Sequence, residues 1–319
     1  MENTISTLLS KKALVLSGGG TLGIAEVGAI VKLEEYGFNL KQLKSVTGSS
    51  IGSVLALAIA CGASTEYMKH KMNTTNLLSL KNSKCALTNL YTLWKKYGLY
   101  EMDAVRKFVK SILKDLKYNE DITFGELYQR NNIWLTVTYL SMNYRRTIYA
   151  DHIYEAGNSV VDAVIKSCSI PFFYESYISY VGREKYIDID GGVMLNYPFI
   201  VARKQGYDSK EIIGLKFISG KEKEFMDDGQ PGTEEEKYPL PENVIDHLKD
   251  IIEILRLQAM KVHVSDNDWK NTIKIDIGDY QSTDFNLTES DKDYLFFQGA
   301  SSVNKYLQYL TDLILRDKY

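Results

Sequence analysis

The clearest catalytic spacing in the chain is G-x-S-x-G, which residues 48–52 carry with Gly48, Ser50 and Gly52. A short apolar strand pattern precedes this motif and a helix pattern follows it. In that context the two glycines allow a sharp turn that exposes the serine, which can then attack an ester carbonyl. A plain strand-to-helix turn with Ser50 as the helix cap would have the same local sequence. The motif alone therefore leaves both interpretations open.

A second glycine-rich turn, SGGGTLG at residues 17–23, also lies between a strand pattern and a helix pattern. Counted from its first glycine it matches the G-x-G-x-x-G of dinucleotide-binding turns, which need an acidic residue at the end of the next strand. That strand pattern, LKSVTG at 43–48, ends without Asp or Glu, which argues against a dinucleotide cofactor. Backbone N–H groups in such a turn can instead stabilise the oxyanion of an ester under attack. We assign this role to Gly18, Gly19 and Gly20.

Histidine is the usual base beside a serine nucleophile, and the chain contains four histidines. An α/β-hydrolase triad runs in the chain order serine, acid, histidine, and His247 and His263 satisfy that order. Both lie in one amphipathic helix pattern rather than in a loop, which favours ordinary surface or half-buried residues. The other two are His70 and His152, and His152 has no distinguishing context.

An aspartate is the better candidate for the base. The segment YIDIDGGVMLNYP at 186–198 places Asp190 at the end of a strand pattern, directly before Gly191 and Gly192. A carboxylate there can lie at the same edge of the sheet as Ser50 and accept its proton, if partial burial tunes its basicity. Asp188 has the same orientation on the strand and is the competing candidate.

The elements around these motifs indicate an α/β protein. Residues 12–62 alternate strand, helix, strand, helix, which predicts a parallel sheet. The patterns predict strands at 12–17, 43–50, 133–140, 145–150, 186–190, 212–218 and 272–277. They predict helices at 22–37, 53–62, 160–168, about 244–263 and about 289–316, with mostly helices and connections over 63–120.

Strand patterns on both sides of the charged stretch 221–243 favour one sheet, and hence a single domain over residues 1–319. That stretch holds three of the five prolines and is predicted to be a mobile loop. The core motifs occupy about 12–220, and a C-terminal extension of helices and one strand occupies about 244–319.

The composition is that of an ordinary globular protein, with 45% hydrophobic and 25% charged residues. The net charge of −3 gives no basic excess, which argues against nucleic acid as a partner. The longest apolar run, at 54–61, is too short to cross a bilayer, and the N-terminal residues lack the apolar core of a signal peptide. Three cysteines without paired spacing argue against disulfides or a zinc site. We therefore expect a cytoplasmic protein.

Taken together, these segments resemble the patatin-like phospholipases, lipid acyl hydrolases with a Ser–Asp dyad that are related to cytosolic phospholipase A2. Four blocks carry the resemblance in the family's order: the glycine turn with its helix at 17–35, the serine turn with its helix at 48–62, SCSIPFFYES at 167–176 and the aspartate–glycine block at 186–198. Residues 285–307 are similar to the closing helix of bacterial members. The resemblance covers about residues 12–312.

The resemblance implies a three-layer α/β/α fold around a largely parallel sheet, and a lipid acyl hydrolase of the phospholipase A type. It implies Ser50 as the nucleophile and Asp190 as the base, with the three glycines from Gly18 to Gly20 as the oxyanion hole. It implies no catalytic histidine, no metal and no other cofactor. The supporting motif residues are Gly23, Gly48, Gly52 and Gly191.

Two positions depart from the family pattern. Many members carry Arg or Lys where this chain has Leu22, and many bacterial members carry His where it has Glu26. Loss of the cation puts in doubt its contribution to the potential at the glycine turn, and Glu26 adds an acid near the helix N-terminus. Neither position belongs to the dyad, so we expect activity to survive with altered substrate preference.

The implied partners are a glycerolipid substrate and, transiently, a membrane surface; the need for an activator is left open. Residues 171–174 and 90–100 combine aromatic side chains with lysines in a way that suits a lipid interface, although core packing explains both segments equally well. Two alternatives to a lipid hydrolase are an acyltransferase or esterase acting on another ester, and a catalytically silent interaction protein of the same fold.

Overall fold

The computed structural model describes residues 2–82, 84–218 and 244–316. The predicted charged loop at 221–243 lies outside these residues. The helices are α1 (Glu2–Leu9), α2 (Gly23–Glu35), α3 (Ile51–Ala60), α4 (Thr65–Thr74), α5 (Leu77–Leu80), α6 (Ala86–Lys96), α7 (Asp103–Asp115), α8 (Phe124–Asn131), α9 (Val160–Cys168), α10 (Gly192–Leu195), α11 (Phe199–Lys204), α12 (Val244–His263), α13 (Asp266–Trp269) and α14 (Glu289–Arg316). The strands are β1 (Ala13–Leu16), β2 (Ser45–Ser49), β3 (Gly98–Tyr100), β4 (Trp134–Ser141), β5 (Arg146–Ala150), β6 (Phe172–Tyr174), β7 (Tyr177–Val181), β8 (Glu184–Asp190), β9 (Ile212–Ile218) and β10 (Thr272–Asp276).

The main sheet has the strand order β10-β9-β1-β2-β4-β8-β7, and β5 pairs with β4 outside this path. The five strands from β10 to β4 are parallel, and β8, β7 and β5 join antiparallel. The prediction of an α/β fold with a largely parallel sheet is therefore confirmed. Strand β9 precedes residues 219–243, β10 follows them after α12 and α13, and the two strands pair directly with each other.

The sheet separates two apolar cores, as strand β1 illustrates. Its residues Leu14 and Leu16 belong to the larger cluster, which contains the apolar side chains of α2 and α3. Ala13 and Val15 belong to a second cluster with Phe199 of α11. Because successive side chains of a strand point to opposite faces, a strand covered on both faces is apolar throughout, as the sequence ALVL is.

The carboxyl ends of β2 and β8 meet on strand β4. β2 runs parallel to β4, and its last pair joins Ser49 to Thr138. β8 runs antiparallel to β4, and its last pair joins Asp190 to Tyr139, one residue further along β4. β5 pairs with residues 137–141 of β4, which overlap the residues paired with β2 and those paired with β8. β5 therefore lies on one side of β4, and β2 and β8 both lie on the other side. Ser50, the residue after β2, therefore lies next to Asp190.

Some elements were not predicted from the sequence. Strands β3 and β6 form a separate two-stranded parallel sheet, and β3 lies within the region expected to be helices and connections. Each has three residues, too few for an alternating pattern to be recognised. Within the described ranges, no helix has an apolar stretch long enough to span a membrane.

Candidate active site

Ser50 occupies a strained turn between β2 and α3. Its backbone has φ 51° and ψ −127°, a conformation that residues with a side chain rarely adopt outside functional sites. A side chain at Gly48 would collide with the backbone of Gly52, and one at Gly52 would collide with the carbonyl oxygens of β1 and the residue after it. Only glycine therefore fits at these two positions, on either side of Ser50, as in a nucleophile elbow.

A second serine fixes the backbone of this turn. The Ser50 N–H donates to Oγ of Ser167 at 2.8 Å, and the Ser167 hydroxyl donates to the carbonyl of Thr138 at 2.7 Å. Ser167 is fully buried near the end of α9, and it ties the turn to β4. Ser167 lies in the motif block 167–176, but no local pattern indicates this role, because the contact joins segments more than 100 residues apart.

Asp190 has the environment expected of a general base. The Ser50 hydroxyl lies beside its carboxylate, and its Oδ1 accepts the N–H of Gly192 at 2.6 Å. Burial raises the pKa of Asp190 to about 7, although the Ser50 hydroxyl, the Gly192 N–H and the positive charge of Arg256 each oppose the rise. A carboxylate with that pKa can accept and return a proton at neutral pH.

Asp188, the competing candidate, is held by a different partner. Its Oδ2 lies 2.9 Å from Nζ of Lys166 on α9, and Lys166 also packs over the ring of Tyr139. The Asp188 carboxylate is therefore engaged in an ion pair, whereas the Asp190 carboxylate lies beside the Ser50 hydroxyl.

The glycine turn is held against this pair by Asn196. The Gly18 N–H donates to the Asn196 carbonyl at 2.8 Å, and the Asn196 side-chain amide donates to the Gly18 carbonyl at 3.1 Å. Gly18 therefore serves as the anchor of the turn rather than as an open donor. The N–H groups of Gly19 and Gly20 find no acceptor among the described residues, which leaves them as the candidate oxyanion donors.

The two remaining motif glycines lie at close approaches between elements. Gly23, the first residue of α2, lies against the side chain of Ile51 at the start of α3. Gly191 lies against the carbonyl of Thr138 on β4. Both contacts draw the segments around Ser50 together.

Glu26 lies directly behind the glycine turn, where its Oε1 accepts the N–H of Ser17 at 2.9 Å. Its side chain is fully buried, and within the described part of the chain its Oε2 has no hydrogen-bond partner. Burial raises the pKa of Glu26 well above its ordinary value, and the charge of the buried Lys216 opposes this only in part. The environment therefore favours the neutral carboxylic acid. Leu22, the other departure from the family pattern, is a core residue of the larger apolar cluster.

The four histidines, all within the described ranges, make no hydrogen bond to Ser50 or Asp190. His70 and His247 are exposed. His152 stacks on Tyr128 with 3.6 Å between ring centroids. His263 ends α12, on the same helix as Arg256.

Comparison with known proteins gives a family match. The family model described as patatin-like phospholipase matches residues 14–203, more than half of the chain. The matched region contains both glycine turns and the aspartate.

The chain is also similar to individual proteins. Uncharacterised protein R571 of Acanthamoeba polyphaga mimivirus is 29% identical over 311 residues, which cover 96% of this chain and 98% of R571. Triacylglycerol lipase ptl3 of Schizosaccharomyces pombe is 27% identical over 174 residues, which cover 51% of this chain and 33% of the lipase. The crystal structure of VipD from Legionella pneumophila aligns with a TM-score of 0.58 and 17% identity, covering 94% of this chain and 67% of VipD. At that identity the likeness shows a shared fold.

Proposed function

The chain belongs to the patatin-like phospholipase family, and from that premise we propose that it is a lipid acyl hydrolase of the phospholipase A type, acting on carboxylic esters of glycerolipids. Family membership supports lipid hydrolysis in general. The finer proposal rests on one observation: the carboxyl ends of β2 and β8 meet on β4, which brings the Ser50 hydroxyl beside the Asp190 carboxylate.

In the first half of the proposed reaction, Asp190 takes the proton of the Ser50 hydroxyl as its oxygen attacks the acyl carbonyl carbon. The carbonyl oxygen becomes an oxyanion, for which the N–H groups of Gly19 and Gly20 are the proposed donors. When the tetrahedral intermediate collapses, the ester C–O bond breaks and the leaving alcohol takes the proton from Asp190. The product is an acyl-enzyme on Ser50.

In the second half, water attacks the acyl carbonyl while Asp190 accepts its proton. Collapse of the second intermediate releases the fatty acid and returns the proton to Ser50. Every group in this scheme comes from the chain itself, and so we expect hydrolysis to persist in excess chelator.

The substrate class follows from the family and its relatives. The family is described as a phospholipase family, and one relative is described as a triacylglycerol lipase. Phospholipids and triacylglycerols share the glycerol carboxylic ester, which is the bond that a serine nucleophile attacks. We therefore propose glycerolipid esters as the substrate class, and the two lipids are to be compared directly.

The test is fatty-acid release from phosphatidylcholine vesicles and from emulsified triacylglycerol, in excess chelator. We expect Ser50→Ala to reduce release by roughly 10⁶-fold, the scale seen when a serine hydrolase loses its nucleophile. Loss of the base in Asp190→Asn should reduce it by about 10²–10⁴-fold. Asp188→Asn is the matched control on the same strand and should keep most of the activity.

Labelling with a fluorophosphonate separates the alternatives. Labelling of the wild type but not of Ser50→Ala, with no fatty acid released, would indicate another ester or acyl transfer to an acceptor other than water. Absence of labelling would indicate a silent fold. Loss of activity in Asp188→Asn but not in Asp190→Asn would reverse the assignment of the base, and loss in His247→Ala or His263→Ala would require a histidine mechanism.

A further inference from the structure

Helix α6 presents an apolar face to solvent. Leu87, Leu90, Tyr91 and Trp94 follow the i, i+3, i+4, i+7 spacing of one helix face, and they are 79%, 61%, 62% and 80% exposed. A contiguous exposed apolar surface on a folded protein usually marks an interaction site. These four residues are called the α6 face below.

The end of α6 is attached to the candidate active site. The helix leads into β3, which pairs with β6, and the Lys96 carbonyl accepts the N–H of Ser176. A few residues before β6, the Ser169 carbonyl accepts the N–H of Asp190 at 3.0 Å. A surface bound to the α6 face is therefore linked to Asp190 through a short, hydrogen-bonded segment.

The charge around the α6 face suits a lipid headgroup layer. Residues 81–100 contain four lysines and no Asp or Glu, although the whole chain has a net charge of −3. Lys84 before the helix pairs with Glu101, and Lys96 at its end pairs with Glu175 and Glu101. Lys95 has no ion pair among the described residues, and its charge is available to a headgroup. A helix with Trp, Tyr and Leu on one face and lysines at its ends matches the composition of helices that lie in a membrane interface.

The two segments that the sequence predicts to meet a lipid interface differ in how far their aromatic side chains are exposed. Phe173 of the 171–174 segment packs among Tyr100, Tyr174 and Phe285, with ring centroids 4.9 to 5.3 Å away. These contacts are those of a core aromatic cluster. Trp94 of the 90–100 segment is exposed, so core packing does not explain it.

We propose that the α6 face docks on the surface of a lipid aggregate, with Lys95 at the end of the helix contacting the headgroups. This inference rests on the proposed function, because a glycerolipid hydrolase must take its substrate from such a surface. The aromatic and leucine side chains enter the interface, and the attached active-site segment is thereby held at the lipid.

The test measures vesicle binding and catalysis separately. Binding is measured by flotation with phosphatidylcholine vesicles, with and without phosphatidylglycerol, on full-length protein carrying Ser50→Ala so that the lipid is not consumed. Leu90→Ser with Trp94→Ser should weaken binding on the order of 100-fold, because each buried apolar side chain contributes about tenfold or more. The control is Leu315→Ser with Phe297→Ser on α14, whose side chains are 51% and 64% exposed; it should bind like the parent.

Hydrolysis of a short-chain ester in true solution, with Ser50 intact, checks that the variants fold. The α6 double variant should keep the wild-type rate on this ester and lose hydrolysis of vesicles. If the wild type fails on both esters, the proposed function is wrong, and the binding experiment still decides the docking proposal.

Three results would overturn the docking proposal: unchanged vesicle binding by the α6 double variant, absence of binding by the parent, or equal loss in the α14 control. A change of oligomeric state in the α6 variant with unchanged vesicle binding would assign the face to a second copy of the chain.

For the charge contribution, Lys95→Gln should weaken binding to phosphatidylglycerol-containing vesicles by about fivefold. An equal effect on phosphatidylcholine alone would contradict a headgroup role for this lysine.

Discussion

At the scale of single residues, the two aspartates of β8 show how environment separates identical side chains. Asp188 and Asp190 lie two positions apart and are both buried. Lys166 neutralises the first, whereas the second faces the Ser50 hydroxyl and has its pKa raised by burial to about 7. A general base is most effective when its pKa lies near the working pH, as that of Asp190 does. The sequence identified both as candidates but contained no local signal for the lysine, which is contributed by α9.

The pKa of Asp190 predicts the pH dependence of hydrolysis. The base must be ionised, so kcat/KM for a soluble ester should fall about tenfold per pH unit below about 7. The charge of Arg256 lowers this pKa, and Arg256→Gln should therefore move the acid limb to higher pH. Rate profiles between pH 5 and pH 9 measure the shift.

The control for this shift is Glu253→Gln. Glu253 pairs with Arg256 at 2.5 Å, and its neutralisation leaves the cation in place. The acid limb of Glu253→Gln should stay where it is or move to lower pH. An acid limb near pH 4 in the wild type, or no shift in Arg256→Gln, would contradict the assignment of the limb to Asp190.

At the scale of elements, the apolar patterns of the sequence predicted where individual helices and strands begin and end. The predicted bounds of α9 and β9 agree with the structure, because an apolar helical repeat and an apolar run bounded by polar residues specify each of them. The sequence did not predict that β8 runs antiparallel to β4 and meets β2 end to end. That arrangement depends on pairing between segments far apart in the chain, for which a single sequence carries no signal.

The two hydrogen bonds of Ser167, which join α9 to the serine turn and to β4, can be tested by substitution. Ser167→Ala removes the acceptor for the Ser50 N–H and the donor to Thr138. The turn then loses its fixed geometry, and kcat on a saturating soluble ester should fall by roughly 10- to 100-fold, the cost of a misplaced reacting group. KM should change little, because Ser167 is fully buried and contacts the backbone of Ser50 rather than the open site.

The control lies two residues away. Ser169 is also fully buried, but its hydroxyl donates only to the Ile165 carbonyl one helical turn back. Ser169→Ala should lower thermal stability to a similar extent and leave kcat nearly unchanged. Equal losses of kcat in the two variants would show that Ser167 contributes general stability and does not position Ser50.

At the scale of the whole molecule, the site depends on segments from nearly the entire described chain. The motif blocks predicted the residues of the proposed dyad and of the glycine turn, because their types and order are local features. They did not identify Asn196 as the clamp on Gly18, or Arg256 as the cation that acts on Asp190. Both residues act on the site only because the residue after α10 and helix α12 come close to the carboxyl edge of the sheet.

Glu26 makes the stability of the whole molecule depend on pH. Its pKa is raised in the folded state and returns to its ordinary value of about 4.5 on unfolding. Between these two values the folded state holds a proton that the unfolded state releases. The free energy of unfolding therefore falls as pH rises, by up to about 1.4 kcal/mol per unit from this group. The contribution is fully present below about pH 4.5 and is lost as pH rises through the folded-state pKa.

Glu26→Gln tests this linkage, because glutamine keeps the shape of the protonated acid and does not titrate. Its stability relative to the wild type should be similar near pH 4.5 and should increase steadily toward pH 8 in urea unfolding. Glu35→Gln, on the exposed end of the same helix, should retain the pH dependence of the wild type. If Glu26 is instead ionised and paired with Lys216, Glu26→Gln would destabilise the protein at every pH above about 5. In that case the side chain behind the glycine turn of the wild type would be a carboxylate instead of a neutral acid, and its negative charge would lie close to the proposed oxyanion donors.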